Sequence, residues 1–83
     1  MSTLSKEYVF QCAKWILIGT GKLTADINAK LLASDVQTAV QIFEDRKADL
    51  RAGINTGHVY SPTPEMIETM VDSIDEAIAI LQS

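Results

Sequence analysis

"LTADINAKLLASDVQTAVQIFEDRKADLRAG", residues 23–53 of an 83-residue chain, holds the choice on which the fold turns. Ile27, Leu31, Leu32, Val36, Ala39, Val40, Phe43 and Leu50 recur at helical spacing and line one broad face, as an amphipathic helix requires. Thr24 stands where an N-cap belongs, Asp26 falls in the first turn, and Gly53 follows Arg51 where a helix would stop. Read as one helix, the stretch is about 27 residues and about 40 Å long. A competing start signal lies inside it. Ser34-Asp35-Val36-Gln37 has the serine-to-glutamine spacing of a capping box. The expectation is one long helix with a bend near Ala33–Ser34.

Downstream, "SPTPEMIETMVDSIDEAIAILQS" places Thr63 as an N-cap, Pro64 at the first helical position and Glu65 in the first turn. Ile67, Met70, Ile74, Ala77 and Leu81 follow at spacings of three and four, with Val71 and Ile78 widening the seam. A helix over Pro64 to Leu81 follows from that pattern. Upstream, "SKEYVFQCAKWILIGTG" is apolar over most of its circumference. Tyr8, Cys12, Trp15 and Ile16 make one face, with Val9, Phe10, Leu17 and Ile18 on its flanks. Such a helix must be covered on more than one side, and two further helices cannot cover it in so small a domain. The β-branched and aromatic content of "YVF" and "WILI" leaves a strand as the alternative there. The fold expected is all-α: one domain over residues 1–83, a three-helix antiparallel bundle with a long central helix, completed by oligomerisation.

Composition limits the function classes. Apolar residues make up 47% of the chain, enough for a real core and against disorder. Residues 1–62 carry seven basic and six acidic side chains, whereas residues 63–83 carry five acidic side chains and no basic one. A polyanion or an acidic lipid surface is repelled by that last segment, so nucleic acid and membrane are not expected partners. The single Cys12 cannot form an internal disulfide, nor build a zinc site with one histidine. "MSTLSKEYVF" shows no secretory leader, and the longest apolar run, "WILI", is far below the ~20 residues of a membrane span. A reduced, cytoplasmic protein is the expectation.

"GTGK", residues 19–22, invites a phosphate-loop reading. A Walker loop needs glycine, four residues, then Gly-Lys-Ser/Thr after a strand. Here Leu23 follows the lysine and Ile16 occupies the first glycine's place. The stretch reads instead as a helix end, with Gly19 left-handed, Thr20-Gly21-Lys22 as the turn and Leu23 folding back. The loop "GINTGHVYSPTP" is longer than a minimal connector and carries the only histidine. Arg51, Asn55, Thr56, His58 and Tyr60 form a polar and aromatic rim suited to a small anionic ligand or a partner surface. In an up-down-up bundle the two glycine turns sit at opposite ends of the long helix. Thr20 and Lys22 would then meet that rim only across a chain interface.

Nothing points to catalysis. No serine or cysteine lies near His58 in sequence, Cys12 sits on an apolar face, and no cofactor or metal is called for. Glu65, Glu68, Asp72, Asp75 and Glu76 form an acidic stripe without an intervening base, a docking face for a basic partner. Two functions follow. The first is a non-catalytic inhibitor or adaptor that binds a protein target with Tyr8, Phe10 and Trp15, or with Glu68 and Asp72. The second is an oligomer that sequesters a small phosphorylated or nucleotide-like molecule at subunit interfaces. In size and helical make-up the chain resembles small accessory proteins of bacteria and their phages that act by binding and blocking, a likeness of style and not of motif.

Overall fold

The computed structural model describes residues 5–53 and 62–83, and their regular structure is helical throughout. Four helices follow in order: α1 Lys6–Thr20, α2 Ala25–Leu32, α3 Val36–Arg51 and α4 Pro64–Leu81. The single long central helix does not form. Ser34 takes φ 60°, its N–H donates to the Leu31 carbonyl at 3.1 Å, and the Asp35 N–H donates to the Lys30 carbonyl at 3.1 Å. This doubly bonded left-handed turn ends α2. Asp35 then caps α3, its carboxylate accepting from the Thr38 N–H at 3.3 Å. The internal start signal marks a true boundary, shifted by one residue: Ser34 makes the reversal and Asp35 the cap.

The reversal has a packing reason. α1 has 15 residues and α4 has 18, so an unbroken helix of about 27 residues would project beyond both. Folding back sets α2 against α1 and α3 and buries Leu31. The expected three-helix bundle is thus replaced by four helices. α3 is central and packs on the other three. Lys6 Nζ donates to the Ser83 carbonyl at 2.8 Å, which places the start of α1 beside the end of α4. The core is contiguous: Val9, Phe10, Ala13 and Leu17 of α1, Leu31 of α2, Ala39, Ile42, Phe43 and Leu50 of α3, and Val71, Ile74, Ala77 and Leu81 of α4.

Two helix ends agree with the sequence reading in kind. Thr63 caps α4 by accepting from the Met66 N–H, with Pro64 in the first turn. α1 ends at a glycine of φ 70°, where only a residue without Cβ is free of strain. That residue is Gly21, not Gly19. The Gly21 N–H donates to the Ile18 carbonyl and the Lys22 N–H to the Leu17 carbonyl. Leu23 packs back on the core as expected. "GTGK" is therefore a helix terminus.

The break is testable by the sign of one substitution. A serine at φ 60° is strained in a way glycine is not, so Ser34→Gly is expected to stabilise the protein by about 0.5–1 kcal/mol. In a continuous helix the same change would cost about 0.5 kcal/mol. Thermal unfolding decides between them: a lower Tm for the variant would contradict the reversal at Ser34.

Candidate functional site

Breaking the central helix moves its far end. α3 returns towards the turn that follows α1, and Lys22 Nζ lies 3.9 Å from Asp49 Oδ2 near the end of α3. The glycine turn at Gly21 and the end of α3 before Gly53 therefore share one end of a single chain. The expected separation of these two ends along one long helix is corrected. Arg51 is exposed and lies two residues beyond Asp49, about 200° around the helix, so it does not join Lys22. Asn55, Thr56, His58 and Tyr60 lie outside the described residues.

Thr20 and Lys22 line a cleft of about 410 Å³ between α1, α2 and α3. Ile16, Leu17, Ile27 and Ile42 give it apolar walls. Its polar lining comes chiefly from α3, where Gln41, Asp45, Arg46 and Asp49 recur at helical spacing. Gln41 Nε2 donates to Asp45 Oδ1 at 2.9 Å, and Asp49 faces Lys22. Both carboxylates of the cleft are thus engaged. The Thr20 hydroxyl is spent on its own helix, donating to the Ile16 carbonyl at 2.9 Å.

Arg46 was not among the residues expected from sequence. Ala39, Phe43, Arg46 and Leu50 are spaced four, three and four, which puts the arginine in the core-facing seam of α3. It is half-buried, and its Nη1 is sealed from solvent with no hydrogen-bond partner among the described residues. The ion pairs among those residues do not include it. The signal was present: a lone charge at a seam position is a stronger pointer than any charge on an outer face.

The proposed contact surfaces divide. Phe10 is 9% exposed and packs in the core, unlike the other two residues expected at that surface. Tyr8 and Trp15 are about half exposed, as is Ile18, and the two rings meet edge to face with centroids 5.9 Å apart. The buried stripe of α1 is Val9, Phe10, Ala13 and Leu17, three of which the sequence reading placed on the flank of the apolar face. Cys12 is half-buried, and burial pushes its thiol up, a hydrogen bond with the Tyr8 side chain opposing this more weakly. On α4, Glu68 and Asp72 are exposed. Asp75 is not free for a partner, because Lys47 of α3 bonds it at 2.7 Å while holding Glu44 at 2.9 Å. Those two carboxylates, Asp75 first, raise the Lys47 ammonium above its ordinary value. No helix among the described residues is long and apolar enough to cross a membrane.

Comparison with known proteins finds no family model, no curated relative and no solved structure that matches this chain. The functional reading accordingly rests on the site itself.

Proposed function

We propose that the protein is a non-catalytic inhibitor or adaptor that binds a protein target through the outer face of α1. The observation that carries this reading is the exposure of Tyr8, Trp15 and Ile18 on one side of that helix. None of the three is buried in the core, and large aromatic side chains at a surface are the residues that dominate protein interfaces. Tyr8 and Trp15 already pack edge to face, so little conformational freedom is lost when a partner covers them. The exposed Glu68 and Asp72 of α4 favour a target with basic groups near the contact. A second copy of the chain is the first partner to try, since oligomerisation would cover the same stripe.

The test compares wild type with the double variant Tyr8→Ser/Trp15→Ser. Light scattering measures self-association, and a purified partner captured on the wild-type chain is titrated against both forms. The variant is expected to keep the wild-type Tm within a few degrees and to bind about thirtyfold more weakly or worse. Equal binding by the two forms sinks the α1 assignment. Loss on Glu68→Lys/Asp72→Lys instead would move the contact to α4.

A further inference from the structure

We propose that the cleft between α1, α2 and α3 binds a small molecule carrying one anionic group on an apolar body, a carboxylate amphiphile, with Arg46 as the anion contact. This goes beyond the α1 surface and does not depend on it. A seam position on a central helix ordinarily holds an apolar residue, and a charge placed there is ordinarily paired. Arg46 has neither relief. Its Nη1 is sealed without an acceptor among the described residues, Asp49 is turned to Lys22, and Asp45 already accepts from Gln41. The residues outside the described set, 1–4 and 54–61, carry no aspartate or glutamate.

The cleft's shape and lining define the ligand class. Its volume of about 410 Å³ falls within the range of small-molecule sites. Ile16, Leu17, Ile27 and Ile42 suit a hydrocarbon body. Arg46 and Ile16 also line two adjoining clefts. A carboxylate matches a guanidinium in planar, two-bond geometry. The lining holds Lys22 and Arg46 against Asp45 and Asp49. With no net positive charge, that lining argues against the phosphorylated, nucleotide-like ligand, whose several charges would need a surplus of cations. A single anion needs only Arg46, which no carboxylate among the described residues engages.

The probes are octanoate and octan-1-ol, which share an apolar body and differ in charge. Calorimetric titration of the wild-type chain is expected to show octanoate binding about tenfold or more tighter than the alcohol. Octanoate is also expected to shift the methyl resonances of Ile27 and Ile42. Arg46→Met restores an apolar seam, so it is expected to fold with a Tm no lower than wild type and to bind octanoate no better than octan-1-ol. Equal affinity of wild type for acid and alcohol overturns the proposal, as does undiminished octanoate binding by Arg46→Met. The wild-type comparison decides the matter even if the variant is poorly folded.

Discussion

Phe43→Ala is expected to lower the free energy of unfolding by about 3–5 kcal/mol. Phe43 is 2% exposed and sits in the seam of the helix that packs on all three others. Removing its ring takes away more apolar volume than an alanine substitution at any of the buried aliphatic positions. The opening left behind is bounded by a central element that cannot shift towards one neighbour without leaving another. A domain of this length has roughly 4–12 kcal/mol of total stability, so the loss is a large share of it. Urea denaturation measures the effect, and a change below about 1 kcal/mol would show that Phe43 is not where the structure places it.

The second large effect separates two neighbours. Leu31 is 6% exposed and Leu32 is 75% exposed. Leu31→Ala is expected to cost about 2–4 kcal/mol, and Leu32→Ala to stay within about 0.5 kcal/mol of wild type. In one continuous amphipathic helix both leucines would lie on the apolar face and cost alike. The contrast therefore tests the turn at Ser34 from the packing side, independently of the backbone test with glycine. Similar losses at the two positions would return α2 and α3 to a single rod.

Local chemistry was readable where it acts through the nearest few residues. The caps at Thr24 and Thr63, the proline that opens α4 and the glycine after α3 all involve atoms within about one turn of each other, and the end of α1 was read in kind but placed at Gly19 instead of Gly21. The burial of Val71 and Ile74 followed from spacing, because α4 has one apolar seam and no rival for it. α1 was different. With apolar residues on nearly every side, its periodicity did not say which stripe faces inward. Val9, Phe10, Ala13 and Leu17 face inward and Tyr8 and Trp15 do not, a choice set by the packing of α1 against α2, α3 and α4. The candidate cleft was half legible. Thr20 and Lys22 were legible in the sequence, whereas the role of Arg46 depends on which face of α3 packs inward.

The sequence by itself determined that the fold is dominated by helices, where α2 and α4 begin, and which residue types the core would hold. Those are properties of hydrogen bonds and side chains close together along the chain. Only the tertiary structure decided that the central segment turns back at Ser34, that Lys22 and Asp49 face each other within one chain, and that Arg46 lines an apolar cleft. Both a bent rod and a reversed pair satisfy the same local signals. The deciding difference is how much apolar surface of α2 can be buried against α1 and α3, and that quantity exists only once the helices are packed.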